Sequence, residues 1–533
     1  MMMAHILFLC LCLATVQGMS ILDRREAVRI VFARTQIIIA SMIAPPVDDS
    51  RLDFVVPAPK SSKEETNNNR STSTSNTGMQ MPELEPDAII IGSGLAGMTV
   101  AIRVLDRGGT VVIIEKEHTL GGNSMKASSG INAASDESFY NDTLKSAGNS
   151  AQPEMISILV SNSNEALTWL QERFDISLDL VSQLGGHVVP RTHRPSQGGS
   201  VGFSIMQALE KAVREYEDKA TILVDTQVTS LVTVQDQVVG VVMKDNSDSS
   251  VERRLHGTNV VLATGGFAAN RNPILQGYRP DLVKIPATAG NFSTGDGIVM
   301  AKRLGASLVD MDKVQLHPTG FVDPKDPTES NKILAAEVLR GVGRVLLNSQ
   351  GARFCNELGT RDYIIKQMQS QKEPAEFFLV MSGSAAEMAK THMGFYLHKG
   401  LMKKLQGVRA LADWMGVPAE SLSETFTNYF ESAATGKDNF GKVSFGRMPN
   451  KDLHQVVFYA GRVTPVLHYC MGGIAISTDC AVLNETGESI PGLYAVGEVT
   501  GGIHGDNRLG GNSLLECVVF GSAIGAKIPI RNV

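Results

Sequence analysis

From Asp87 onward the hydrophobic pattern is punctuated by glycine turns. An unbroken apolar run, Ala88 to Ile91, leads into Gly92, Gly94 and Gly97, then a stretch with Ala101, Val104 and Leu105 at helical spacing. A second apolar run, Val111 to Ile114, ends in Glu115. Short apolar runs bounded by turns predict strands buried on both faces, and the segment between them predicts an amphipathic helix. Strand-like runs ending in glycine or an acid recur at VVLATGGFAAN (Val260 to Asn270) and at LYAVGE (ending at Glu498), with a further glycine turn at STGDG (Ser293 to Gly297).

Before residue 83 the pattern is different. HILFLCLCLATV is apolar but too short for a confident membrane span, and it has the character of a signal-peptide core. Residues 24 to 47 mix arginines with apolar residues, and residues 60 to 80 form a Ser/Thr/Asn linker. These features predict a signal peptide or short anchor over 1–18 and a presequence and disordered linker over 19–82. They leave the secretory pathway, with the endoplasmic reticulum, and the mitochondrion both open.

Composition narrows the class. At 533 residues the chain is too long for one simple core, so two domains plus extensions are expected. A hydrophobic content of 43% and a charged content of 20% are ordinary for a globular protein, and a formal charge of -6 argues against nucleic-acid binding. Cys10 and Cys12 fall in the leader, while Cys355, Cys470, Cys480 and Cys517 show no paired spacing, which predicts buried thiols. No haem motif, iron–sulfur ligand set or metal site is apparent.

The strand–turn–helix–strand context turns G-x-G-x-x-G into a phosphate-binding turn, because its glycines admit a pyrophosphate to the helix N-terminus. Glu115 is placed to accept from a ribose. Near the C-terminus, TPVLHYCMGG, YAVGEVTGG and HGDNRLGGNSLLE place His468, His504 and Arg508 in a glycine-rich surface. Glycine lets a backbone approach a flat ligand, and arginine offers a fixed fork of donors to a carboxylate. A planar cofactor beside a small anionic substrate follows. Several separated cofactor segments suit a buried FAD better than a NAD held on one half-fold.

Taken together, GGNSMKASSGIN, QLGGHVVPRTHR, DMDKVQLHPTGF, AAEVLRG, FCNELGTRD and NRLGGNSLLECVVFG resemble the fumarate reductase and succinate dehydrogenase flavoprotein family, nearest its soluble fungal and related eukaryotic branch. The likeness runs over roughly residues 87 to 525. It implies an α/β fold: a doubly wound Rossmann-like FAD-binding domain (83–316 and 466–533) interrupted by an α+β capping domain (317–465). His317 and His468 would mark the crossings. The site would be complete only when the cap closes.

The resemblance implies FAD contacts from Gly92, Ser93, Gly94, Ala96, Gly97, Glu115, Lys116, Asn123, Ser124, Ser128, Ser129, Gly130, Val228, Thr264, Gly265, Asp296, Glu498, Ser513 and Leu514. It implies reduction of fumarate to succinate, with Arg508 and His468 on one carboxylate, His317 on the other and Arg361 as proton donor. Glu337 and Arg340, three apart, would relay protons to Arg361. The electron donor would be reduced free FAD or FMN, or a partner protein, without stable membrane subunits.

Departures from the family pattern also carry information. Ser124 and Met125 stand in the loop where membrane-bound members carry a flavin-linking histidine, which implies non-covalent FAD. Ala336 replaces a threonine, so a backbone N–H is expected to take over its contact with substrate. Asp506 puts a negative charge near Arg508, where it would either weaken dicarboxylate binding or point away. His187, Arg191 and His193 are expected in a loop near the cofactor, outside the chemistry. An L-aspartate oxidase-like enzyme or another dicarboxylate flavin oxidoreductase would share the fold and part of the clamp. A non-catalytic flavin-binding protein would have no need of His317, Arg361, His468 and Arg508 together.

Overall fold

The computed structural model describes residues 85–196, 200–247, 251–372, 375–447 and 452–531. The expected leader and linker, 1–18 and 19–82, lie outside the described residues. Among the described residues no helix is long and apolar enough to cross a membrane.

The apolar runs form a six-stranded sheet. Its strands are β1 (Ala88–Ile91), β2 (Val111–Ile114), β3 (Ala220–Leu223), β7 (Asn259–Leu262), β13 (Ala481–Leu483) and β14 (Ser489–Ala495), in the order β13–β14–β7–β1–β2–β3. All neighbours are parallel except the edge strand β13. β1, β2 and β7 are buried along their whole length, as strands covered on both faces must be.

The two faces are covered differently. Helix α1 (Leu95–Asp106) and the C-terminal helix α9 (Asn512–Lys527) pack on one side. On the other side, Ile89, Ile91, Val112 and Leu262 meet Val228, Val238, Val241 and Leu255 of an antiparallel sheet, β4 (Thr226–Val234), β5 (Gln237–Asp245) and β6 (Glu252–His256). The expected Rossmann-like core is present, with one face covered largely by strands instead of helices.

A separate antiparallel sheet carries β8 (Val314–Phe321), β9 (Val345–Leu347), β10 (Phe377–Ser382), β11 (Lys403–Gln406) and β12 (Val457–Cys470). β12 pairs with β8 along its second half and with β10 and β11 along its first. Two further cores flank the far end of this sheet, one with Phe321, Ile364 and Leu379, the other with Phe378, Leu411 and Phe458. Val314, Leu467 and Cys470 at the near end belong to the core of the nucleotide fold. The boundaries expected at 316/317 and 465/466 therefore fall inside continuous strands. Sheet hydrogen bonding, unlike a flexible linker, runs through them.

Candidate functional site

A single cavity of about 820 Å³ extends from the β1–α1 turn to Arg508. Its wall includes Gly92, Ser93, Gly94, Ala96, Glu115, Lys116, Asn123, Ser124, Ser128, Ser129, Gly130, Val228, Thr264, Gly265, Asp296, Glu498, Ser513 and Leu514. Gly97, expected beside them, is not on the wall. A Cβ there would lie 2.1 Å from the Gly92 carbonyl oxygen, so its role is close packing of α1 on the sheet.

The local structure explains the shape of this end. Glu115 accepts through Oε2 from the N–H (3.0 Å) and hydroxyl (2.6 Å) of Ser93, and through Oε1 from the Glu117 N–H (3.0 Å). These bonds fasten the end of β2 to the glycine turn. Gly92 has φ 104°, a left-handed conformation in which a side chain would also collide with Ala263. No side chain caps α1 at Gly94, and the Leu95 N–H donates to Ser124 Oγ (3.1 Å). Lys116 Nζ reaches Thr294 Oγ1 (2.6 Å) and Asp296 Oδ2 (2.8 Å), which closes the far wall.

These residues fit an extended dinucleotide. A Cβ on Gly94 would meet only Ser124 Oγ at 3.7 Å, and one on Gly265 would meet nothing within 4 Å, so both backbones border open space. Thr264 Oγ1, buried on the same wall, has no hydrogen-bond partner among the described residues. Glu498 accepts from the Cys470 N–H (2.9 Å), and burial raises its pKa to about 7. The four described cysteines are free and buried, and burial holds the Cys470 thiol well above its ordinary range.

At the other end the cavity wall includes Arg361, His468 and Arg508. Arg361 opens helix α5 (Arg361–Gln369), and His468 lies near the end of β12. Behind Arg361 stands Glu337, 1% exposed, just before the single turn α4 (Val338–Gly341). Glu337 Oε2 contacts Arg361 Nε (3.3 Å) and His317 Nε2 (2.6 Å), while Oε1 accepts from Arg340 Nη1. The Glu337 N–H donates to Ser129 Oγ (3.0 Å), which joins this network to the cofactor loop. Burial disfavours the Glu337 carboxylate, yet Arg340, Arg361 and His317 together hold it well below the usual carboxylate range.

The tautomer of His317 follows from its neighbours. The Thr319 N–H can only donate, and it lies 3.2 Å from His317 Nδ1, so the ring proton sits on Nε2 and is donated to Glu337. Burial lowers the His317 pKa to about 3, so the ring is neutral at pH 7. His317 was expected to hold a substrate carboxylate. It is fully buried, off the cavity wall, and its donor is committed to Glu337. Arg340, also fully buried, donates from Nε to the Glu357 carbonyl (2.7 Å) and from Nη2 to that of Gly359. Glu357 is in turn clasped by Arg353 (2.9 Å) and Lys442 (3.1 Å), which stiffens the segment leading to Arg361.

Several important residues were not singled out by the motifs. Gln315 Oε1 accepts from Arg361 Nη1, while Gln315 Nε2 donates to Asn507 Oδ1 and to the Arg508 carbonyl, both at 2.8 Å. It thereby joins the two arginine segments. Thr288 Oγ1 lies 2.8 Å from His468 Nδ1, and burial, then Arg361, push the His468 pKa well down. The available signal for Gln315 was a polar residue two before His317 in a strand buried along almost all its length.

The departures resolve in different ways. The Ala336 N–H, expected to face substrate, donates instead to the Tyr396 hydroxyl (2.9 Å), and Ala336 is fully buried and off the cavity wall. Asp506 turns to Ser150 Oγ (2.9 Å), the Asn149 N–H (2.9 Å) and Lys313 Nζ (3.0 Å). His187 Nδ1 faces the donor Arg191 Nη1 (3.2 Å), so its Nε2–H donates to the Gly510 carbonyl (2.9 Å). His193 Nδ1 lies 3.2 Å from the Leu178 carbonyl.

Comparison with known proteins shows the family. The model of a family described as FAD binding domain matches residues 87–514. A fumarate reductase of Schizosaccharomyces pombe is 45% identical over 460 residues, covering 82% of this chain and 88% of the relative. Fumarate reductase 1 of Saccharomyces cerevisiae is 39% identical, covering 81% of this chain and 96% of that protein. Among solved structures, the open conformation of a flavocytochrome c3 fumarate reductase superposes with a TM-score of 0.66 at 33% identity, covering 84% of this chain and 78% of that one.

Proposed function

The chain belongs to the FAD binding domain family, and within it to the fumarate reductase flavoproteins; on that premise we propose that it is an FAD-dependent enzyme that reduces fumarate to succinate. The observation that carries this reading is the single cavity in which the cofactor segments, His468, Arg361 and Arg508 share one wall. Bound FAD supplies the hydride.

Each residue then has a defined task. Arg508 offers its fork to one carboxylate, with His468 beside it. Arg361 delivers a proton to the alkene carbon opposite the one that receives the hydride, so fumarate, one hydride and one proton balance as succinate. Arg340 restores that proton through Glu337, and neutral His317 keeps the carboxylate aligned. Burial lowers the Arg361 pKa to about 9, opposed by Glu337, so at pH 7 the group is still charged and serves as an acid. Its neutral form, the base that succinate oxidation needs, is the minor one. The enzyme is therefore biased toward reduction.

Electrons would reach the bound flavin from reduced free FAD or FMN, or from a partner protein. Anaerobic oxidation of reduced FMN or a viologen dye should accelerate on adding fumarate and not on adding L-aspartate. Oxidation indifferent to fumarate would sink this reading. With Ser124 and Met125 in the loop of the flavin-linking histidine, the cofactor is held non-covalently. Acid precipitation should leave the yellow colour in the supernatant; a coloured pellet would show a covalent link.

A further inference from the structure

Arg508 is 4% exposed, yet its charge is not balanced by a carboxylate as those of Arg340 and Arg361 are. Among the described residues no carboxylate pairs with it; its Nε has no partner, and Nη1 makes only a 3.4 Å contact with the Leu509 carbonyl. What the guanidinium rests on is a ring: its Cζ lies 4.3 Å from the centroid of Tyr469.

Tyr469 is fastened from the other side. Its hydroxyl donates to Glu516 Oε1, Glu516 Oε2 is bonded to His504 Nε2, and the His504 ring meets the Tyr469 ring edge-on at 5.5 Å. All three side chains are buried, and they come from β12, α9 and the glycine loop between β14 and α9. Burial, reinforced by Glu516, holds the Tyr469 hydroxyl well above its usual range, so it remains a donor.

A ring face stabilises a guanidinium through its quadrupole and uses none of the N–H groups, whereas an ion pair would occupy the fork that a ligand needs. Glu516 holds the hydroxyl edge of the same ring and places negative charge near the buried cation without capturing its donors. We propose that Tyr469, braced by Glu516 and His504, is a positioning residue that presents the free fork of Arg508 to a carboxylate of the dianionic substrate. This rests on the reading that Arg508 binds substrate.

The test uses the full-length, FAD-loaded protein and the variants Tyr469→Leu, Tyr469→Phe, Glu516→Gln and Arg508→Lys. Flavin absorbance gives FAD content and, through its perturbation, the Kd of succinate; steady-state assays give KM and kcat for fumarate. Tyr469→Leu should raise KM and Kd about thirtyfold, the size of a desolvated cation–π contact. FAD content should hold, and kcat should stay within about threefold of the parent. Tyr469→Phe, which keeps the ring, should recover most of the binding, with Glu516→Gln between the two. Parent-like KM and Kd in Tyr469→Leu, or equal impairment in Tyr469→Phe, would overturn the proposal. Should Tyr469→Leu lose FAD, Glu516→Gln decides: a raised Kd supports the brace and a parent-like Kd overturns it. Arg508→Lys separates the two layers. Parent-like succinate binding there defeats the reading of Arg508 itself. Loss of binding there, with Tyr469→Leu unaffected, defeats only the role of Tyr469.

Discussion

Arg361 and Arg508 reach the same cavity, and their buried charges are balanced by different means. Arg361 is embedded in an ion network in which Glu337 also serves Arg340 and His317. Arg508 has no carboxylate partner among the described residues and lies on the face of Tyr469. A group that must exchange a proton needs a bonded neighbour to resupply it. A group that must grip an incoming anion needs its donors unspent. The difference in packing thus tracks the difference in task, even though the side chains are chemically identical.

The strongest way to break this comparison is Arg361→Ala. Fumarate reduction should fall by about 10²–10⁴-fold, the range expected for a lost general acid, while FAD stays bound. Activity retained in a flavin-loaded variant would remove Arg361 from the proton path. Next in size is a stability contrast. Glu337→Gln strips a buried counter-charge from two arginines and should cost about 3–5 kcal/mol. Arg508→Lys breaks no ion pair and should cost about 1 kcal/mol or less. Denaturant unfolding of both variants reads the gap, and equal losses would erase the distinction between a paired and an unpaired arginine.

A pH profile sharpens it further. Because the folded Arg361 pKa is lowered to about 9, fumarate reduction, which needs the protonated form, should be full below pH 9 and decline above it. Succinate oxidation needs the neutral form and should climb about tenfold per pH unit up to the same point. Parallel profiles for the two directions would argue against a single acid–base group. The smallest effect belongs to Asp506→Asn. Its pair with Lys313 is about one-third exposed, and such surface pairs contribute about 0–1 kcal/mol, so KM for fumarate should stay within about twofold of the parent. A larger change would mean that Asp506 sets the Arg508 loop after all.

Much of this was legible in the chain. The runs Ala88–Ile91 and Val111–Ile114 are strands because alternating polar positions are absent, which only a sheet covered on both faces tolerates. Gly92 and Glu115 marked the nucleotide end because each answers a local demand: a left-handed turn and an acceptor at a strand terminus. His317 and Ala336 were misjudged for a different reason. Motif position cannot say which way a side chain or an N–H points, and Glu337 and Tyr396 had already claimed their donors. The roles of Gln315, Thr288 and Glu516 were not legible, even where the residue stands inside a quoted motif, because their partners lie far away in sequence: 46 residues for Gln315 with Arg361, 180 for Thr288 with His468 and 47 for Glu516 with Tyr469.

The sequence by itself determined the strand–turn–helix unit, the family and the identity of the chemical groups, because these rest on short-range spacing and on residue type. Only the tertiary structure decided how each group is used. Whether an arginine is paired or free, and which nitrogen of His317 carries the proton, depends on neighbours brought together from several segments of the chain. Burial then fixes the outcome, since a donor removed from water either bonds to what the fold has placed beside it, as His317 does, or is left unspent, as Arg508 Nε is.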